Sequence, residues 1–170
     1  MKRPRVIIVM GVAGCGKSTI GARLAARNGS SFHDADDFHP ASNIAKMAAG
    51  LPLDDSDRAP WLERLRQEVI DAVPAGALAV LACSALKKIY REQLAVGTPG
   101  VALVYLKGDA ATLTSRLAAR PNHYMKAGML ESQLAILEEP CPAEGFSVGI
   151  DFSVEEIVAA IEAALDLRTV

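Results

Sequence analysis

The sequence predicts an α/β protein built on a parallel sheet with helices on both faces. Short β-branched apolar runs alternate with helical patterns along the chain. A glycine-rich turn separates the first such run from the first helix. Hydrophobic residues make up 51% of the 170 residues and charged residues 22%, the balance of a folded globular chain. Strands that alternate with helices favour parallel pairing and burial on both sides.

The elements are predicted in order. Arg5 to Met10 is an apolar run suited to a fully buried strand, and Lys17 to Asn28 is a helix closed by Gly29. Ser31 to His33 is a short strand. Ala41 to Ala49 is a helix after Pro40, ended by Gly50. Pro60 to Val73 is a helix with Trp61, Leu62, Leu65, Val69 and Ile70 on one face and Pro60 in its first turn. Leu78 to Cys83 is a strand and Ala85 to Val96 a helix closed by Gly97. Val101 to Leu106 is a strand and Ala110 to Arg120 a helix interrupted by Pro121. Met129 to Glu138 is a helix stopped by Pro140. Phe146 to Ile150 is the last strand. Ser153 to Leu165 is the last helix, with Ser153 and Glu156 as a capping box. In such sheets ligands bind beyond the carboxyl ends of the strands. Residues after Met10, His33, Cys83 and Leu106 should therefore share one rim.

Composition excludes several classes. The net charge is −2 with no block of like charge, which argues against a general nucleic-acid binder. The apolar run Val6 to Met10 is too short to span a bilayer and leads into a glycine-rich turn, so no membrane association and a cytoplasmic location are expected. Cys15, Cys83 and Cys141 form neither a C-x-x-C pair nor an even set, so neither a disulfide framework nor a zinc site is expected.

Gly11-Val12-Ala13-Gly14-Cys15-Gly16-Lys17-Ser18 matches G-x-x-x-x-G-K-[ST] at every fixed position, in the required strand–turn–helix setting. Such a loop turns backbone N–H groups toward a polyphosphate, and the helix N-terminus adds partial positive charge. Lys17 is placed to reach the β- and γ-phosphates, Ser18 to ligate Mg²⁺, and Thr19 to bond a further phosphate. Cys15 is a small residue that fits the loop. The motif specifies a nucleoside triphosphate but not its acceptor.

Asp34, Asp36 and Asp37 follow the second strand. In an extended segment Asp34 and Asp36 point the same way. Asp36 is the candidate for holding and deprotonating an acceptor hydroxyl, and Asp34 for a magnesium–water ligand. His39 is a further acceptor-side candidate. Arg58 suits an acceptor carboxylate, or else pairs with Asp54, Asp55 or Asp57. Lys87, Lys88 and Arg91 cluster at a predicted helix start, where cations oppose the dipole and a bound anion would offset them. Arg116 and Arg120 lie four apart. Arg116 is the candidate for packing on the base. Arg120, His123 and Lys126 suit a closing basic segment over the transferring group.

Taken together, GVAGCGKST, DADDFHP, Asp57-Arg58 with Pro60-Trp61-Leu62, Cys83-Ser84-Ala85-Leu86-Lys87-Lys88 with Tyr90-Arg91, and His123 with Met125 resemble the gluconate kinases. These belong to the P-loop group that is similar to nucleoside-monophosphate kinases. The resemblance runs from about residue 6 to residue 140. It implies a three-layer P-loop NTPase fold with five parallel strands in order 2-3-1-4-5. It also implies one domain over 1–170 with a mobile lid near 120–129, ATP and Mg²⁺, gluconate as substrate, 6-phosphogluconate as product, and a homodimer. The alternatives are another small-molecule kinase of this fold, such as shikimate kinase, or a nucleotide-dependent switch without an acceptor.

Overall fold

The computed structural model describes residues 3–120 and 127–167. Five strands form one parallel sheet in the order β2-β3-β1-β4-β5. They are β1 (Val6–Met10), β2 (Ser31–Asp34), β3 (Ala79–Ala82), β4 (Val101–Lys107) and β5 (Phe146–Gly149). Central β1 pairs with both neighbours, Val6 lying beside Ala79 on one side and Val101 on the other. The expected strand order and orientation are therefore found.

Alternation along β1 builds two cores. Ile7 and Val9 face one side with Leu24, Leu113 and Ile157. Ile8 and Met10 face the other with Trp61, Leu62 and Tyr90. The first face is covered by α1 (Lys17–Arg27), α5 (Ala110–Ala118), α6 (Ala127–Ile136) and α7 (Val154–Ala164). The second is covered by α3 (Asp55–Leu65) and α4 (Lys88–Gln93). The short α2 (Ala41–Ala48) buries Asn43. Arg23 and Arg27 of α1 hold Glu155 and Glu162 of α7, and the Ser153–Glu156 capping box starts α7 as expected. Among the described residues no helix is long and apolar enough to cross a membrane.

Besides α6, which starts two residues before the expected Met129, two helix starts differ from the sequence reading by three residues or more. The helix assigned to Pro60 onward begins at Asp55, because Asp54 and Asp57 each accept the other's backbone N–H in a capping box. Pro60 thus lies inside α3, where it removes the N–H that would meet Ser56. Beyond Leu65 the helix widens into a π turn over Arg66–Ile70.

The second difference is at α4, which starts at Lys88 and not at Ala85. Ala85 has φ 46°, a left-handed conformation that no helix start would use. Arg91 explains it. Its side chain is 1% exposed, and Nη1 donates to the carbonyls of Ala85, Leu86 and Glu138 at 3.2, 3.2 and 2.9 Å. Nε and Nη2 donate to the Glu144 carboxylate at 2.8 and 3.3 Å. The guanidinium thereby ties the approach to α4 to the segment before β5. It also holds the Glu144 carboxyl below its ordinary range.

Removing one partner of a buried, hydrogen-bonded charge pair leaves the other charge uncompensated. Arg91→Ala is expected to cost about 3–5 kcal/mol of unfolding free energy in urea titration. A loss below about 1 kcal/mol, the range of a solvated surface pair, would contradict this role.

Candidate active site

The carboxyl ends of the strands carry three adjoining clefts, as the rim argument requires. The central cleft is floored by the phosphate loop. Gly16, with φ 93°, caps α1 in a left-handed conformation that a side chain would strain. Gly14, with φ 84°, packs so closely on α5 that a Cβ there would lie 3.1 Å from Leu117 and 3.2 Å from the Leu113 carbonyl. The loop therefore keeps its amides turned inward at the positive end of α1. Cys15 is buried within it, 1% exposed. Lys17 Nζ donates to the Val12 carbonyl at 3.2 Å, and Lys17, Ser18 and Thr19 line the cleft.

Asp34 closes β2 beside the loop. Its Oδ2 accepts from the Ser18 hydroxyl at 2.5 Å and its Oδ1 from the Asp36 backbone N–H at 3.0 Å. The chain then enters a 3₁₀ turn over Ala35–Phe38, where an extended segment was expected. The Asp34 cap and the Trp61 indole N–H, which donates to the Ala35 carbonyl at 2.7 Å, fold it there. Asp34 and Asp36 nevertheless line the same cleft, joined by the turn and not by strand alternation.

His39 stands behind Asp36, 8% exposed and stacked on Trp61 at 4.2 Å between ring centroids. The Asn43 amide donates to Nδ1 at 3.3 Å, which places the ring proton on Nε2, 3.8 Å from Asp36 Oδ1. Burial, followed by the charge of Arg58, lowers the His39 pKa to about 4. The ring is therefore neutral at neutral pH.

Arg58 also lines the central cleft and the neighbouring one, between Leu53, Lys87 and α6. The carboxylates that could have neutralised it are otherwise engaged. Asp54 and Asp57 cap α3 and pair with Lys46, while Asp55 accepts from Lys87 Nζ at 2.8 Å and from the Tyr90 hydroxyl. Among the described residues Arg58 makes no ion pair; its Nη1 donates to the Leu53 carbonyl and to Tyr90 Oη.

The third cleft lies past Thr19. It is lined by Arg116, Arg120, Phe152 and Val154, and Arg116 Nη2 donates to the Ile150 carbonyl at 2.6 Å. Arg120, just beyond α5, borders this cleft and the central one.

The basic cluster after β3 separates into three roles. Lys87 borders the Arg58 cleft. Lys88 does not line these clefts; its side chain is 64% exposed and lies 4.0 Å from Glu92. Arg91 is withdrawn into the fold. The offset to their charge comes from Asp55, Glu92 and Glu144 of this chain, and the expectation that a bound anion supplies it is corrected for Lys88 and Arg91. His123, Lys126 and most of the expected lid lie outside the described residues.

Residues given no site role from sequence also shape the site. Gln133 of α6 accepts the Ala13 backbone N–H at 2.8 Å and lines two of the clefts. Phe152, 61% exposed, presents an apolar ring beside Arg116. It lies just past β5, so the rim rule could have found it had the last strand been included.

The donor set suits magnesium. Ser18 Oγ and Asp34 Oδ2 are hard oxygen donors side by side at the phosphate loop. Among the described residues no cluster of three or more His, Cys, Asp or Glu side chains could cage a metal alone. A Mg²⁺ ion here would complete its shell with phosphate oxygens and water, its usual habit.

A parallel sheet with this loop at its rim and a second, carboxylate- and arginine-lined cleft defines a P-loop phosphotransferase. Comparison with known proteins narrows the class. A family model described as an AAA domain matches residues 6–140. The chain is 44% identical to a probable gluconokinase of Mus musculus, over 97% of this chain and 100% of that protein. It is 43% identical to the thermosensitive gluconokinase of Escherichia coli K12, over 86% of this chain and 78% of that one. The crystal structure of a gluconokinase from Sinorhizobium meliloti 1021 superposes with a TM-score of 0.85 at 37% identity, covering 98% of this chain and 94% of that one. The chain belongs to the gluconokinase family.

The His39 environment predicts a pH effect. The native ring resists protonation until about pH 4, whereas the unfolded ring takes a proton near 6.5. Protons thus bind the unfolded chain first, and stability falls as pH drops from about 6.5 to about 4. The full effect is about 3 kcal/mol and is absent above that window. His39→Gln should flatten this part of the stability–pH curve; an unchanged slope would contradict the assignment.

Proposed function

We propose that the chain transfers the γ-phosphoryl group of ATP to the terminal hydroxyl of D-gluconate, giving 6-phospho-D-gluconate and ADP. One observation carries the reading. Lys17, Asp36 and Arg58 line a single cleft that opens from the phosphate loop, in a member of the gluconokinase family. Gluconate has a carboxylate at one end and a primary hydroxyl at the other. Arg58 suits the first and Asp36 the second.

The residues divide the work as follows. The amides of Gly14 and of residues 16–19, with the α1 terminus, hold the polyphosphate, while those of Ala13 and Cys15 bond Gln133 and Val12. The base takes the third cleft, between Arg116 and Phe152. Ser18 and Asp34 hold magnesium, which when bound neutralises phosphate charge. Asp36 orients the acceptor hydroxyl and accepts its proton as the oxygen attacks phosphorus, while neutral His39 stands behind it and leaves its charge unpaired by the imidazole. Lys17 and Arg120 take up charge on the transferring group. Arg58, with Lys87 at its side, receives the acceptor carboxylate. Little covalent chemistry is required, so positioning and electrostatics supply the rate. The same reading carries the homodimer that the resemblance implies, the single domain expected from the length, and the cytoplasmic location expected from the short apolar run.

A coupled ADP-release assay with gluconate, other sugar acids, shikimate and nucleoside monophosphates tests the assignment. Turnover with gluconate well above the others is expected. Turnover of another acceptor without gluconate, or acceptor-independent ATP hydrolysis alone, would reject it. Lys17→Ala should reduce kcat/KM by about 100-fold or more, because phosphate charge loses its partner. Activity within about threefold of the parent would contradict that role.

A further inference from the structure

Around Arg58 and Lys87 stand two side chains, Tyr90 and Asp55, that the scheme above leaves without a task. The Arg58 guanidinium lies over the Tyr90 ring, 5.3 Å from its centroid, and Nη1 donates to Tyr90 Oη at 3.3 Å. Tyr90 Oη in turn donates to Asp55 Oδ1. The same oxygen accepts from Lys87 Nζ at 2.8 Å, and that ammonium lies 5.6 Å from the Tyr90 ring centroid. Tyr90 is 3% exposed and packs in the core with Trp61 and Leu94, so its ring has a fixed place.

Asp55 is near enough for Arg58 to help depress its carboxyl, after the larger effects of Lys87 and Tyr90. Yet among the described residues no ion pair joins Arg58 to Asp55. The phenol stands between them, accepting from one and donating to the other. An arginine already neutralised by a protein carboxylate would have to give up that partner before binding an acid. One held by a neutral hydroxyl and a backbone carbonyl keeps its charge and its Nε and Nη2 donors for a ligand.

We propose that Tyr90 is a positioning residue that sets the preference for an acidic acceptor: it occupies Asp55 and Arg58 Nη1 together, and so keeps this carboxylate from capturing the arginine. The effect lies in binding the acceptor, not in phosphoryl transfer. The inference rests on the reading of Arg58 as the acceptor-carboxylate site.

The test is a double-mutant cycle on KM. Tyr90→Phe keeps the ring and removes the hydroxyl, which frees Asp55 to pair with Arg58. KM for gluconate should rise about tenfold, with KM for ATP within about twofold of the parent. Adding Asp55→Asn removes the competing carboxylate and should return the gluconate KM to within about threefold of the parent. A gluconate KM unchanged by Tyr90→Phe, or raised and not restored by Asp55→Asn, would overturn the proposal, since a purely structural tyrosine would not be rescued by its neighbour. Should Tyr90→Phe fail to fold, Asp55→Asn alone decides. With the phenol already holding Asp55 off Arg58, gluconate KM should stay within about threefold of the parent; a fall of about tenfold or more would show that the carboxylate captures the arginine despite Tyr90, and would overturn the proposal. If the parent turned over no gluconate, the proposed function would fail first. The same cycle would then be read with whichever carboxylate acceptor the parent uses.

Discussion

The left-handed turn at Gly16, φ 93°, is the constraint from which the rest of the site is laid out. It lets the chain leave a fully buried strand, line the floor of the central cleft, and enter α1 there. Gly14 needs the same freedom for a different reason, because α5 presses on it through Leu113 and Leu117. Gln133 then holds the Ala13 amide from α6. The loop is thus braced by helices from two parts of the chain before any nucleotide meets it.

Around this fixed point the charges are sorted by partner. Carboxylates with structural duties are tied to cations or amides of this chain: Asp54 and Asp57 at the α3 cap, Glu144 on Arg91, Asp55 on Lys87. Arg58, between the central cleft and its neighbour, has a carbonyl and a phenol in place of a carboxylate. This separation matters because a buried pair gains little and binds nothing, whereas a cation held by neutral groups retains its attraction for a ligand. His39 follows the same logic with the opposite sign. Burial keeps it neutral, so it stands 3.8 Å from Asp36 without taking its charge.

The parts legible in the sequence were those determined locally. Val6–Met10 and Val101–Leu106 are apolar runs that read as buried strands, and the loop motif places phosphate chemistry after the first of them. Strand order came from the resemblance and not from any pattern of residues. Helix starts were misplaced where the deciding partner is distant. Nothing near Ala85 shows that Arg91 will hold its carbonyl, or that Glu144 will hold Arg91. The α3 start was readable, since Asp54 and Asp57 have capping-box spacing, but Pro60 drew the boundary to itself. The basic cluster misled for a related reason. Three cations at a helix start look like a site until the carboxylates that meet them, from elsewhere in the chain, are in place. Tyr90 is legible only as part of the motif that carries the resemblance; its role is not, because it depends on Asp55 and Arg58, which are distant in sequence.

The central claim is one of orientation: an acid held by its carboxylate at Arg58, with its far hydroxyl delivered to Asp36 beside the nucleotide's terminal phosphate. A crystal structure with gluconate, magnesium and a non-hydrolysable ATP analogue measures that orientation directly. The account predicts the carboxylate on the Nε and Nη2 edge of Arg58, and the terminal hydroxyl within hydrogen-bond reach of Asp36 and in line with the γ-phosphorus. A gluconate bound the other way round, or one whose carboxylate rests on Lys17 or Arg120, would contradict it.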